Sequence, residues 1–186
     1  MVAETTRHPP KHHAVIQQKE NKNMSNIFVP SDFNIPTYFV NDLYCFEMLS
    51  PRFATLDFDA VMSSKERLRG VFAEHTDWPK DDMTLEDNIR DLIRHEQEFL
   101  AKEAFAYSVL TLKRDKCLGC LYIEPSLSKE HDSEVYLWVR DSEIELDHIL
   151  YKDVKDWLEV SWPFKNVIFP GREITWEDWE YLRPEK

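Results

Sequence analysis

The chain has 186 residues, 42% of them hydrophobic and 13% aromatic, with only three glycines; that is enough for one domain with a real core and short for two. Its formal net charge is −12, and residues 1–30 contribute +2 (Arg7, Lys11, Lys19 and Lys22 against Glu4 and Glu20), so the remainder carries −14. Such an acidic body repels nucleic-acid phosphates and anionic membrane surfaces, which disfavours both as partners and favours a cationic one such as an amine.

Residues 1–30 are rich in His, Lys, Gln, Asn and Pro without any sustained period. They read as a disordered polar tail, with residues 31–186 as a single domain. His8, His12 and His13 are ligand types, but a flexible tail does not preorganise them, and no metal is expected. Tyr38 to Leu49 is aromatic and β-prone, a first strand region broken by Pro51. Asp57 or Asp59 can cap a helix running to about Ala73, burying Ala60, Val61, Leu68, Val71 and Phe72. The clearest helix runs from Thr84 to about Glu103. Thr84 is a natural N-cap, and Glu86 and Asp87 place negative charge in the first turn, where the helix dipole favours it. Leu85, Ile89, Leu92, Ile93, Phe99 and Leu100 follow helical spacing, while Arg90, Asp91, Arg94, Glu96 and Glu98 read as a solvated face.

Phe105 to Lys113 is an apolar strand, Arg114-Asp115-Lys116 a polar turn, and Cys117 to Pro125 the returning strand of a hairpin. A loop leads to a third strand, Glu134 to Arg140. A helix follows from about Leu146 to Val160, with Leu146, Ile149, Leu150, Val154 and Leu158 as its apolar stripe. Asn166 to Phe169 is a last strand, and Thr175 caps a final helical turn. The hairpin requires antiparallel pairing, whereas the closing strand–helix–strand unit requires a parallel pair with a right-handed crossover. The expected fold is therefore a mixed sheet in an α/β domain.

Cys117-x-x-Cys120 lacks the second pair that a structural zinc site needs. Lying on a strand, where residues three apart point to opposite faces, the two read as buried core thiols, as does Cys45. An odd cysteine count without an apolar leader points to reduced thiols and a cytoplasmic location. No stretch approaches the ~20 apolar residues of a membrane span.

The order of elements and the phrase Leu118-Gly119-Cys120-Leu121-Tyr122-Ile123-Glu124-Pro125 resemble the GNAT superfamily of acyl-CoA-dependent N-acetyltransferases, and the segment from Ser63 to Arg140 is similar to a bacterial branch of it. The resemblance implies a three-layer fold, an acetyl-CoA co-substrate, and a small-molecule or peptide amine as acceptor. It implies that the pantetheine arm pairs with the backbone of Leu137, Trp138 and Val139, and that Arg140 and Ser142 lie at the pyrophosphate. A homodimer is one arrangement open to the chain.

Acetyl transfer to an amine needs a base, a stabilised carbonyl oxygen and a proton for the leaving thiolate. Glu134, Tyr136, Glu124 and His131 are the candidates for the proton transfers, and Trp78 is a candidate wall of the acceptor pocket. The family's glycine-rich phosphate turn is matched here by Arg140 to Asp147, which has no glycine and four carboxylates, at Asp141, Glu143, Glu145 and Asp147. Carboxylates repel a pyrophosphate, and a close backbone approach is harder without glycine. Only 17 residues follow Phe169, with Tyr181 the sole tyrosine among them, so the expected fold is shortened at this end and the general acid is unassigned. Two readings stay open: an N-acetyltransferase, and a GNAT-like module that has lost acetyl-CoA and binds another ligand or a protein.

Overall fold

A computed structural model describes residues 28–183. Six strands form one sheet in the order β1 to β6: β1 Tyr38–Val40, β2 Cys45–Met48, β3 Phe105–Leu110, β4 Cys117–Pro125, β5 Ser133–Val139 and β6 Val167–Ile168. Neighbours are antiparallel except β5 and β6, which run parallel. Helices α1 (Ala54–Ser63), α2 (Lys65–Leu68) and α3 (Leu85–Ala101) cover one face. Helix α4 (Asp147–Ser161) covers the other, and α5 (Trp176–Leu182) closes the described chain. The mixed α/β architecture expected from the sequence is the one observed.

The first strand region is a hairpin rather than one strand. The Asn41 side chain accepts hydrogen bonds from the Leu43 and Tyr44 amides, turning the chain between β1 and β2. Asp57 and Asp59 are not caps. The first helix begins earlier, behind Pro51–Phe53, and Asp57 lies buried inside its first turn; the helix stops at Ser63, and α2 follows as a separate turn. Thr84 caps α3 as expected, in a reciprocal capping box with Asp87. Its buried side holds Asn88, Leu92, His95 and Phe99, leaving Ile93 and Leu100 exposed, because residues three, four and seven apart share the face. Thr175 caps α5 by accepting from the Asp178 amide. Phe28 and Val29, assigned from the sequence to the tail, pack in the core: Val29 is buried and Phe28 stacks on Phe105 and Phe164. Residues 1–27 of that tail lie outside the described residues.

The β3–β4 hairpin carries a bulge: Val109 faces Gly119, yet Leu110 faces Cys117, so Leu118 is the extra residue. Its phase shift puts Cys117 and Cys120 on the same face, correcting the expectation of opposite faces. One donor atom each from Asp57, Cys117 and Cys120 lies within 4.8 Å of the others. Three donors fall short of a tetrahedral structural zinc set. The Asp57 oxygens are already engaged, by Asn88 Nδ2 at 2.9 Å and the Cys120 thiol at 3.2 Å. All three cysteines are free and buried. Next to the bulge, a Cβ on Gly119 would lie 1.9 Å from the Trp138 carbonyl oxygen, so only glycine allows β4 and β5 this approach.

Candidate active site

Strand β5 organises the site through both its face and its edge. Its register against β4 runs from Gly119↔Val139 to Pro125↔Ser133. Glu124 therefore sits directly opposite Glu134, and Tyr122 directly opposite Tyr136, on the face covered by α1–α3. Against β6 the pairing stops after Ser133↔Val167 and Glu134↔Ile168, so the two parallel strands part beyond Glu134.

A cleft of about 540 Å³ opens over the Glu124–Glu134 end of β4 and β5. Its walls are aromatic, from Phe72, Trp78, Tyr122 and Tyr136. Phe72 packs edge-on against the other three, with ring centroids 5.3, 5.1 and 5.5 Å away respectively. Its rim is charged: α3 contributes Asp91, Arg94, His95 and Glu98. Arg94 spends its guanidinium on Asp91 at 2.5 Å and Glu98 at 2.9 Å, and His95 lies 3.6 and 3.3 Å from the same two carboxylates. Burial alone would raise the Asp91 carboxyl, but the hydrogen bonds and charges of His95 and Arg94 outweigh it and hold it down to about 2.

Glu134 is buried, accepting from the Leu127 amide at 3.2 Å and the Tyr136 hydroxyl at 3.1 Å. Burial pushes its carboxyl above the usual range against those two bonds. Burial also raises the Glu124 carboxyl, and the Glu134 charge opposite adds to the rise. Like charges directly opposite on adjacent strands repel. Burial, reinforced by Glu134, raises the Tyr136 hydroxyl far above the ordinary phenol range, so this hydroxyl stays protonated.

On the other side of Tyr136 lies a second groove of about 280 Å³, between β5 and the segment after β6. Here the odd-numbered residues of β5 turn their backbone groups away from β4. Two arginines reach those groups. Arg67 donates to the Val139 carbonyl and, at 2.7 Å, to Asp141. Arg172 donates to the Leu137 carbonyl at 3.4 Å and forks onto Asp147, both contacts at 2.7 Å. Trp176 stacks on Tyr136 with a centroid separation of 6.3 Å, and both rings line this groove.

The structure brings Glu124, Glu134 and Tyr136 together at one cleft. His131 stands apart in the β4–β5 loop, against Trp179 and the Ser128 hydroxyl, and lines neither cleft. Leu137 and Val139 present backbone to the groove, whereas Trp138, between them, turns its backbone to β4. Arg140 points inward: its guanidinium meets Asp59 at 2.9 Å, Ser63 at 3.2 Å and the Cys117 carbonyl at 3.3 Å. The Asp59 and Ser63 pairings hold it against α1 and away from the groove. Ser142 is exposed in a 3-10 turn, Asp141–Leu146. Three of the four carboxylates of the acidic turn are ion-paired: Asp141 with Arg67, Glu143 with Lys116 and Asp147 with Arg172. Trp78 lines the cleft as expected, but Asp91 and Glu98 are not simply a solvated face. The signal for them was spacing: Asp91, His95 and Glu98 are four and then three residues apart, one stripe of α3.

A mixed sheet whose central strand splays from a parallel neighbour, between two clefts, is a frame shared with acetyltransferases of known structure. The fold is that of the GNAT acetyltransferases. The structure is similar to a ribosomal-protein-S5-alanine acetyltransferase from Vibrio fischeri (17% identity, TM-score 0.51, covering 66% of this chain and 67% of that one). It is also similar to the microcin C7 self-immunity acetyltransferase MccE, solved with acetyl-CoA and AMP (12%, TM-score 0.51, 69% of each chain). A third, a probable acetyltransferase, aligns at 9% identity with a TM-score of 0.55 over 70% of this chain and 71% of that one. No protein-family model and no curated protein sequence matches the chain. No helix among the described residues is long and apolar enough to cross a membrane.

Proposed function

We propose that this chain transfers an acetyl group from acetyl-CoA to a primary amine, with the amine in the aromatic cleft and the donor in the groove along β5. One observation carries the reading: the two cavities share the wall formed by Tyr136, and its hydroxyl is hydrogen-bonded to Glu134. A base and an acid thus stand side by side where an acceptor from one cavity meets a donor from the other. Glu134 takes a proton from the ammonium, freeing the nitrogen lone pair. Tyr136, kept protonated, gives its proton to the departing sulfur and recovers one from Glu134. Acetyl-CoA supplies the activated acyl group; the C–N bond forms as the C–S bond breaks, and the second nitrogen proton leaves to water.

Two parts of the groove suit acetyl-CoA. The edge of β5 at Leu137 and Val139 can pair with the pantetheine amides once Arg172 and Arg67 release its carbonyls. Arg67 and Arg172, on either side of that edge, can take the pyrophosphate in exchange for Asp141 and Asp147. The glycine-free turn does not offer a backbone cradle, and Arg140 is committed elsewhere. The competing reading, a module without acetyl-CoA, draws on the same arginines, which cover the strand edge with the chain's own side chains.

A thermal titration separates the two. Acetyl-CoA at one hundred times its Kd stabilises by about 2.7 kcal/mol, a rise of roughly 5–10 °C in Tm for a chain of this size. A flat Tm at millimolar acetyl-CoA and CoA removes the transferase reading and leaves the binding module.

A further inference from the structure

Resting on the reading of the aromatic cleft as the acceptor site, we infer that the acceptor is a small aliphatic diamine or polyamine, with two ammonium groups joined by methylenes. Charge is the first ground. The cleft has two guanidiniums, and both are engaged: Arg94 with Asp91 and Glu98, and Arg183 with Glu180 at 2.6 Å. Glu124 and Glu134 face each other across β4 and β5 and form no direct ion pair among the described residues; the charges of His95 and Arg94 reach Glu124, and that of Arg183 reaches Glu134, only from a distance. One ammonium satisfies one carboxylate; two carboxylates held side by side call for a dication.

The walls supply the second ground. Phe72, Trp78, Tyr122 and Tyr136 offer ring faces and edges, which suit methylenes and ammonium groups alike. The third ground is what the cleft lacks. A peptide acceptor needs main-chain donors and acceptors for its own backbone. Here β4 is paired on both sides only as far as Ile123; beyond it Glu124 is paired with Glu134 of β5 alone, and Pro125 has no N–H to give. Beside His95 and the two engaged guanidiniums, the cleft presents carboxylate oxygens and ring faces, and the β4 end that lines it, Glu124–Pro125, offers a peptide no second paired strand. A polyamine, which has only donors and methylenes, matches that inventory.

The test is calorimetric, on the full chain without acyl donor and at fixed ionic strength, comparing 1,4-diaminobutane with n-butylamine. The diamine is expected to bind about ten-fold more tightly, the worth of one further charge-assisted contact. Glu124→Gln is expected to abolish that preference and Glu124→Asp to keep most of it, which separates lost charge from lost folding. Equal affinities, no binding of either amine, or tighter binding of a basic peptide with a free N-terminus overturns the inference. Acetyl-CoA is titrated separately. Diamine binding without acetyl-CoA binding keeps the ligand class and removes the transfer reaction. Acetylation of amines without diamine preference does the reverse.

Discussion

The two cavities beside β5 are built in opposite ways. On the strand's face, side chains converge and leave two carboxylates without a direct ion pair: Glu124 and Glu134 stand opposite each other inside an aromatic box. At its edge, the uncovered backbone is met at once by Arg67 and Arg172, and their charges by Asp141 and Asp147. One cavity is a demand for a cation. The other already holds an internal stand-in for what it would bind, with guanidiniums on carbonyls and carboxylates where phosphates would sit. A site of the first kind advertises its ligand's chemistry, while a site of the second kind must exchange partners to bind at all.

Gly119→Ala is the largest perturbation, because it acts on both cavities through the contact that sets β4 against β5. The added Cβ meets backbone, not a movable side chain. A loss on the order of 4 kcal/mol is expected in urea unfolding, and near-native stability would show that the sheet can shift there. Glu134→Gln tests the face alone. Turnover is expected to fall about 10²–10⁴-fold with the Kd for acetyl-CoA unchanged, and a variant as active as the parent would end the assignment of Glu134 as base. Arg172→Ala tests the edge alone. Acetyl-CoA affinity is expected to drop about ten-fold, whereas Asp147→Asn, which releases Arg172 from its carboxylate, is expected to raise it. If Arg172→Ala binds more tightly, the arginine is a plug and not a receiver of phosphate.

The difference between the regions also shows in pH. Asp57, Glu124 and Glu134 have carboxyls raised chiefly by burial. Above the ordinary carboxylate range the folded state holds more protons than the unfolded chain, so stability falls as pH rises through the raised values. Ionic ligands reverse the trend for binding: a cation needs the carboxylates ionised, so diamine affinity rises over the same window. Urea midpoints across that range should decline for the parent and decline less steeply for Glu124→Gln, in which Asp57 and Glu134 remain. Thr84→Ala is the mildest change. It removes half of the capping box of α3 and is expected to cost about 1 kcal/mol, leaving both clefts formed.

The sequence carries the scaffold more clearly than the site. The hairpin, β5 and the capped α3 are legible because strand propensity, turn residues and the Thr84–Asp87 pair act over a few residues. The Leu118 bulge is not, since one extra residue leaves no mark on composition yet turns Cys117 to the other face. The convergence of Glu124, Glu134 and Tyr136 on one cleft follows from their places on neighbouring strands. Asp91, His95 and Glu98 were hidden in a face rich in charge, which reads as solvated until a cleft is laid beside it. Arg67 and Arg172 were beyond sequence reasoning, because they come from distant segments and meet only across the β5 edge. Arg140 shows the converse: its position after β5 suggests phosphate, but Asp59 one helix away claims it.

Tyr136 is a partition with a cavity on either side, so, with the amine and acetyl-CoA placed as proposed above, a displacement of its ring by one occupant is a displacement felt by the other. The two occupancies are then thermodynamically linked, and the factor by which an amine alters the affinity for acetyl-CoA equals the factor by which acetyl-CoA alters the affinity for the amine. Its sign follows from Trp176, stacked on the groove side of the ring. A donor that slides in beside Trp176 and steadies Tyr136 tightens the amine site, and one that pries the two rings apart loosens it.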